Sequence, residues 1–240
     1  MTYQLYLGDY SYSSWSLRGW LLLHRWGLPM DITFVDFSEA SVAQQMQAIP
    51  PARTVPTLVT PEGSVIWDSL AMAEELASRH PDAQIWPVDP AARATARSLV
   101  AEMHSGFTAL RSECPMNLRA AYSDYAPPPE VLADLSRIDL IWSYSRNRHG
   151  AGGPWLCGTY SAADAFFAPV AMRIAGYGLP VSPEAQAYVQ AHLTDPALRQ
   201  WRAMGLERGS DLPQYARTHS RRPWPGDTAS GSDAAESLDL

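Results

Sequence analysis

Short strand patterns alternate with helical patterns through residues 3–79, and this alternation restricts the fold more than any other feature of the chain. A helix between two strands gives a parallel pair, whereas a tight turn gives an antiparallel pair. The first third therefore predicts a mixed four-stranded sheet with helices over its faces. The predicted elements are strands over residues 3–7, 32–35, 55–59 and 64–67, and helices over 15–27, 38–48 and 69–79.

After residue 86 the strand patterns end, and apolar residues recur only at helical spacing. We therefore predict an α/β domain over residues 1–82 and an all-helical domain over 90–206. Residues 207–240 are rich in Ser, Asp, Gly and Pro with few apolar anchors, and we expect a disordered tail there. The helices predicted in the second domain cover residues 91–111, 130–145, 161–174, 183–192 and 196–204.

Composition restricts the partners of the chain. The formal net charge is -7, and all 18 basic residues are Arg, which argues against nucleic acid or an anionic membrane as a partner. Cys114 and Cys157 form neither a disulfide framework nor a metal-binding pattern, so we predict no metal. The chain starts without a signal-peptide pattern, and its apolar run at residues 20–23 is too short for a membrane span. We expect a cytoplasmic protein that acts on small molecules.

Val55-Pro56 opens the predicted third strand. Proline is tolerated at the first position of a strand because only one backbone donor is lost there. A cis bond before Pro56 would turn the backbone N–H and C=O of Val55 outward, where they could pair with a peptide-like ligand. The dipeptide alone favours an ordinary edge-strand proline.

Asp68-Ser69 precedes the last helix of the first domain. Ser69 is a good N-cap, and capping is the ordinary role for this pair. The free N–H groups at a helix start also favour a carboxylate, and Asp68 could accept an ammonium group. A ligand with an amino-acid end would satisfy both residues.

A serine-rich loop, Ser13-Ser14-Trp15-Ser16, leads into the first helix. One of these serines is expected to cap the helix. A hydroxyl at a helix N-terminus can also donate a hydrogen bond to a thiolate, which lowers the pKa of the thiol. Arg18, one turn further, ties the loop to the domain or adds positive charge.

These elements, in this order and spacing, resemble the glutathione transferase family over residues 3–204. The motifs that carry the resemblance are SSWSLR at 13–18, RTVPTL at 53–58, DSLAMAEEL at 68–76 and the capping-box pattern SAAD at 161–164. The resemblance implies an α/β N-terminal domain of thioredoxin-like fold followed by an all-α C-terminal domain. It also implies glutathione as the co-substrate and a homodimer.

The resemblance assigns the predicted binding residues. Val55, before Pro56, would pair its backbone with the cysteinyl part of glutathione, while Asp68 and Ser69 would hold the γ-glutamyl end. Arg53 would meet the glycyl carboxylate. Two further assignments are weaker, namely Gln44 or Gln45 at the glycyl carboxylate, and His104, Phe107, Arg111 and Met116 against the co-substrate, where an ordinary core stripe is the alternative.

The serine loop is most similar to the zeta class and its bacterial relatives. The thiol-activating serine of that class matches Ser13, whereas other serine-type relatives match Ser14; we keep both and place Ser13 first. Trp15 stands where the zeta motif has Cys, which argues against zeta-type isomerisation and against cysteine-type chemistry. Tyr10 and Tyr12 are alternative hydroxyl donors.

Three functions follow from the resemblance. The first is a transferase in which the serine-activated glutathione thiolate attacks an electrophilic, apolar small molecule. The second is a glutathione-dependent cis–trans isomerase of a maleyl-type diacid. The third is a non-catalytic binding protein that has only the fold.

Overall fold

Four strands form one mixed sheet in the computed structural model, which describes residues 2–226. The central strand β1 (Tyr3–Leu7) pairs in parallel with β2 (Met30–Phe34) and antiparallel with β3 (Thr57–Val59). β3 continues antiparallel into β4 (Val65–Ile66), which gives the order β2-β1-β3-β4. The predicted mixed four-stranded sheet is confirmed. The strands at the sheet edges are shorter or shifted by up to two residues from their predicted positions.

Helices α1 (Ser14–His24), α2 (Val42–Gln45) and α3 (Ser69–Arg79) complete the first domain. The apolar face of α1 is buried against the sheet and the second domain. Gly19 in this helix lies directly over Pro56, because a Cβ on Gly19 would be only 2.6 Å from the Cβ of Pro56. The small residue lets the loop before β3 approach the backbone of α1.

The rest of the described chain is mostly helical. Helix α7 lies at its centre, is buried along its whole length and packs against α1, α4 and α8. Its start is fixed by the predicted capping box, in which the Ser161 hydroxyl accepts from Ala163 N–H and the Asp164 carboxylate accepts from Ser161 N–H. The helices are α4 (Pro90–Ser105), α5 (Thr108–Glu113), α6 (Pro129–His149), α7 (Ala162–Tyr177), α8 (Pro183–Thr194) and α9 (Pro196–Glu207).

The single helix predicted over residues 91–111 is two helices. Gly106 leaves the helical conformation, and Phe107 adopts a left-handed backbone with φ of 57°. The N-terminus of the second of these helices, α5, is capped by a residue of another helix. The Asp134 carboxylate of α6 accepts a hydrogen bond from Leu110 N–H at 2.9 Å. This cap comes from a residue far along the chain, so local spacing could not reveal it.

The predicted tail is wrong for residues 208–226. This segment, called here the C-terminal strap, runs back over the protein with Leu212 and Trp224 buried. It adds strand β6 (Arg221–Arg222), which pairs antiparallel with β5 (Ala121–Tyr122). Polar contacts hold it as well, since Asp211 pairs with Arg119 and the Ser220 hydroxyl donates to the Asp124 carboxylate. Residues 227–240 of the predicted tail lie outside the described residues.

Within residues 2–226, the helices are too short or too polar to cross a bilayer.

Candidate functional site

A cleft of about 400 Å³ opens between the first domain and the helical domain. It brings together four of the seven predicted site residues, Ser13, Ser14, Arg53 and Val55. A larger groove of about 470 Å³ between α4 and α6 contains none of them. The residues that complete the cleft are Tyr12, Trp15, Phe37, Val42 and Thr54 from the first domain, Arg111, Pro115, Met116 and Arg173 from the second, and Tyr215 from the strap.

Ser13 caps α1. Its hydroxyl oxygen accepts from Ser16 N–H at 3.2 Å, and its own proton is donated to Ser16 Oγ at 2.8 Å. Ser16 Oγ in turn accepts from Gly8 N–H at 2.9 Å. Both sides of the Ser13 hydroxyl are therefore engaged in holding the loop to the helix start.

Ser14 is the first residue of α1, and its hydroxyl differs from that of Ser13. Ser14 Oγ accepts a hydrogen bond from Nη2 of Arg173 at 3.3 Å, while its proton has no acceptor among the described residues. The backbone N–H groups of Ser14 and Trp15 also lack acceptors within residues 2–226. An anion at this helix end would find a hydroxyl donor, two N–H groups and a favourable dipole.

Val55 presents an open backbone to the cleft. The Val55-Pro56 bond is cis, and neither the N–H nor the C=O of Val55 makes a hydrogen bond to the described part of the chain. Pro56 is buried beneath it against Gly19 and does not line the cleft. An extended peptide could pair with Val55 as an added strand.

Asp68 takes the N-cap role that the sequence analysis gave to Ser69. Asp68 caps α3, because its carboxylate accepts from Leu70 N–H at 2.7 Å, and Ser69 is the first helical residue. The Ser69 hydroxyl is buried without a partner in the described structure. The second carboxylate oxygen of Asp68 is 3.2 Å from Nε2 of His104. Neither residue lines the cleft itself, although His104 contacts the ring of Trp15 edge to face.

Arg53 lines the cleft from the loop before Val55 and is exposed, with no hydrogen bond to the described residues. The two candidate glutamines are engaged elsewhere. The amide of Gln44 completes a capping box with Ser41, and that of Gln45 binds the backbone of Asp36. Arg53 is thus the free polar side chain of this group.

The two candidate tyrosines have different surroundings. Tyr10 lies between Phe34 and Trp201, away from the cleft, and burial raises its pKa. Tyr12 lines the cleft, stacks on Tyr215 at a centroid distance of 4.5 Å and accepts a hydrogen bond from the strap. Burial raises its pKa too, which disfavours a phenolate.

Arg173 and Tyr215 are among the cleft residues that sequence reasoning missed. Apart from the capping residue Asp164, Arg173 is the charged residue of an otherwise apolar helix α7, and this contrast was a signal that could have been used. Burial lowers the pKa of its guanidinium to about 10, and nearby Arg111 adds to this effect. Tyr215 lies in the segment predicted to be disordered and had no such signal.

The comparisons with known proteins agree with this architecture. Residues 12–79 match the family described as glutathione S-transferase, N-terminal domain. A probable maleylacetoacetate isomerase from Caenorhabditis elegans is 27% identical over 180 residues, which are 72% of this chain and 81% of that protein. The family match confirms the resemblance that the motifs of residues 13–76 indicate.

Solved structures show the same fold. A glutathione transferase homologue from Burkholderia with bound glutathione superposes with a TM-score of 0.65 at 23% identity, covering 87% of this chain and 100% of that one. A homologue from Sulfitobacter, also with bound glutathione, has a TM-score of 0.60 at 20% identity and covers 85% of this chain and 98% of that one. The two-domain fold predicted from the sequence is confirmed.

Proposed function

We propose that this protein is a glutathione transferase in which Ser14 activates the thiol of glutathione. The observation that carries the proposal is that the proton of the Ser14 hydroxyl and two neighbouring backbone N–H groups at the start of α1 have no acceptor among the described residues. Ser13 remains the alternative donor, but it would have to release Ser16 Oγ first. This order reverses our sequence-based preference for Ser13.

Glutathione would lie along the loop before β3. Val55 would pair its backbone with the cysteinyl residue, which leads the sulfur to the N-terminus of α1. The Ser69 hydroxyl, which has no partner among the described residues, and the N–H groups at the start of α3 would donate to the γ-glutamyl carboxylate, and Asp68 would accept from the ammonium group. Arg53 would bind the glycyl carboxylate at the open end of the cleft.

The reaction then needs a thiolate at neutral pH. The thiol gives its proton to solvent, and the Ser14 hydroxyl and the N-terminus of α1 stabilise the negative sulfur. Lowering the thiol pKa by one unit corresponds to about 1.4 kcal/mol, which a single hydrogen bond together with a helix end can supply. The sulfur donates an electron pair to the electrophilic carbon, the new C–S bond forms, and the leaving group departs with its bonding pair.

Two single substitutions test this assignment. Ser14→Ala should lower turnover about 10- to 100-fold and raise the pKa of bound glutathione, with its affinity nearly unchanged. Ser13→Ala should change the thiol pKa little. Ultraviolet titration of the thiolate in the enzyme complex measures both. Unchanged turnover in Ser14→Ala and in the double variant would reject serine activation and favour Tyr12. A protein that binds no glutathione would favour the non-catalytic alternative.

A second candidate activity is the glutathione-dependent isomerisation of a maleyl-type diacid. Its support is the similarity to the Caenorhabditis elegans protein, and Trp15 in place of Cys argues against it. In isomerisation the C–S bond that forms is broken again, so glutathione is regenerated. Equal amounts of free glutathione before and after turnover of a maleyl diacid would identify this activity.

We also retain a homodimer and a cytoplasmic location as proposals. Exposed apolar side chains on α6, such as Leu140 and Tyr144, offer a surface for self-association. Sedimentation equilibrium of the purified protein would measure the mass, and a monomer at micromolar concentration would contradict the dimer.

A further inference from the structure

The cleft is cationic although the chain is acidic overall. Three arginines, Arg53, Arg111 and Arg173, line it, and the described lining contains neither Asp nor Glu. The whole chain has a formal net charge of -7. This local excess of positive charge needs an explanation, because a cleft with one sign of charge concentrates ligands of the opposite sign.

Arg173 is almost completely buried and lacks a carboxylate partner. Its guanidinium donates to the carbonyl of Cys114 at 2.8 Å, to the carbonyl of Pro169 at 3.3 Å and to Ser14 Oγ at 3.3 Å. All three acceptors are neutral, and the described residues place no carboxylate within salt-bridge distance. Burying a cation without a counter-charge is costly, so a neighbouring anion would be strongly stabilised.

Arg111 lies on the same wall of the cleft and also lacks a carboxylate partner. Its Nη2 donates to the carbonyls of Met103 and His104. Its Nε is buried without a partner, and its Nη1 makes no hydrogen bond in the described structure. Burial lowers the pKa of this guanidinium. Arg111 therefore has donors available for a ligand, on the helical side of the cleft.

Trp15 holds Arg111 in this position. The guanidinium of Arg111 is 4.9 Å from the centroid of the indole, and that of Arg18 is 4.5 Å from it. Arg18 is fully buried, and its Nε and Nη1 have no hydrogen-bond partner within residues 2–226. The residue that replaces the cysteine of the zeta motif thus serves as a platform for two cations.

Resting on the proposed function, we propose that the electrophilic co-substrate carries a carboxylate, which Arg111 and Arg173 bind at the helical wall of the cleft. The two carboxylates of glutathione do not need these residues, because they are assigned to Ser69 and Arg53 in the first domain. Pro115 and Met116 lie beside the two arginines and offer apolar contact to the body of the ligand. The expectation of a purely apolar co-substrate is replaced by an apolar body with an acidic group.

Product analogues test this subsite without any chemistry. Isothermal titration would compare S-(4-carboxybenzyl)glutathione with S-benzylglutathione, which lacks only the carboxylate. The wild-type protein should bind the acid about tenfold more tightly, which is about 1.4 kcal/mol. Arg111→Gln should bring this ratio close to one while leaving the affinity for glutathione itself unchanged. Arg173→Gln should reduce the ratio in the same way.

Arg137→Gln is the matched control, since Arg137 is an exposed arginine on α6 that pairs with Glu102. It should keep the wild-type ratio. Circular dichroism of each variant shows whether it is folded, and Arg111→Lys, which keeps the charge, should retain part of the preference.

Equal affinity of the wild-type protein for the two analogues would overturn the proposal. A preference that persists in both Arg111→Gln and Arg173→Gln would overturn it as well, because the carboxylate would then bind elsewhere. Titration with glutathione alone separates these results from failure of the proposed function. If glutathione does not bind, the transferase assignment itself is wrong.

Discussion

The guanidinium of Arg173 donates a hydrogen bond to the hydroxyl oxygen of Ser14 across 3.3 Å, between residues 159 positions apart in the chain. The contact joins the central helix of the second domain to the N-terminus of α1. It fixes the lone pairs of the Ser14 oxygen and leaves the proton free to point into the cleft. In the proposed mechanism, the helical domain therefore orients the group that activates the thiol in the first domain.

Arg173→Gln should shift the pH dependence of the transferase reaction. Without the buried cation, the thiolate loses a favourable charge and Ser14 loses its orientation, so the thiol pKa should rise by about one unit. The acidic limb of kcat/KM, measured with a neutral electrophile such as 1-chloro-2,4-dinitrobenzene, should move to higher pH by the same amount. Arg173→Lys, which keeps the charge, should restore part of the shift. A lower rate with an unchanged pH profile would mean that Arg173 is merely structural.

Ser13→Ala should weaken the fold more than the chemistry. It removes an N-cap and the bond to Ser16 Oγ, so we expect a loss of about 1 kcal/mol in the free energy of unfolding. Urea denaturation measures this loss. Ser13→Thr keeps a capping hydroxyl and should lose much less. A large increase of the thiol pKa in Ser13→Ala, with stability unchanged, would make Ser13 the activating residue instead of Ser14.

The order of strands and helices could be predicted because each depends on local spacing. The alternation over residues 3–79 gives the mixed sheet, and Ser161 with Asp164 gives the start of α7. The break at Phe107 escaped prediction because it depends on a cap that Asp134 provides from another helix. A residue that stabilises a helix end through tertiary contact leaves no signal near that end.

The candidate site likewise contains residues that local motifs predict and residues that only tertiary packing brings to it. Ser14 and Val55 belong to short motifs, and the sequence identified both as candidates. Arg173 and Tyr215 reach the cleft only through the packing of α7 and the strap. Local patterns gave no sign of Tyr215, and they marked Arg173 only as a charged residue in an apolar stretch, without showing that it lies beside Ser14. The positive charge of the cleft comes from Arg53, Arg111 and Arg173, and the sequence could not show that these three residues lie together.

Gly19→Ala should destabilise the protein and weaken glutathione binding. The added Cβ would lie 2.6 Å from Cβ and 2.8 Å from Cγ of Pro56, so the loop that carries Val55 must move. Overpacking costs about 1 to 3 kcal/mol, which exceeds the gain of about 1 kcal/mol in helix propensity. Chemical denaturation and the KM for glutathione report the two effects.

Gly176→Ala is the control for this substitution. Gly176 lies in α7, and its nearest neighbour would be 3.4 Å from an added Cβ, which is ordinary contact. This variant should keep its stability and its KM. A Gly19→Ala protein that is as stable as wild type, with normal glutathione affinity, would show that α1 does not support the loop through Pro56.

His192→Leu should reduce the loss of stability on acidification. His192 is buried in α8, its Nε2 has no partner in the described part of the chain, and burial lowers its pKa from 6.5 to about 3. The unfolded chain therefore binds more protons than the folded protein between these values, so the stabilising contribution is complete above pH 6.5 and is lost as the pH falls. Between pH 6.5 and pH 5, protonation of this group in the unfolded chain lowers the free energy of unfolding of the wild-type protein by roughly 2 kcal/mol.

Comparing His192→Leu with the wild-type protein at two pH values isolates the contribution of His192 to the free energy of unfolding. Asp164, whose pKa burial raises to about 6, contributes with the opposite sign in the same range, but it is present in both proteins. Relative to wild type, His192→Leu should therefore be roughly 2 kcal/mol more stable at pH 5 than it is at pH 7, as measured by urea denaturation. Leu193→Ala, which opens a cavity next to this position, should lose the same free energy at both pH values. An identical pH dependence in His192→Leu and wild type would show that His192 is charged in the folded protein.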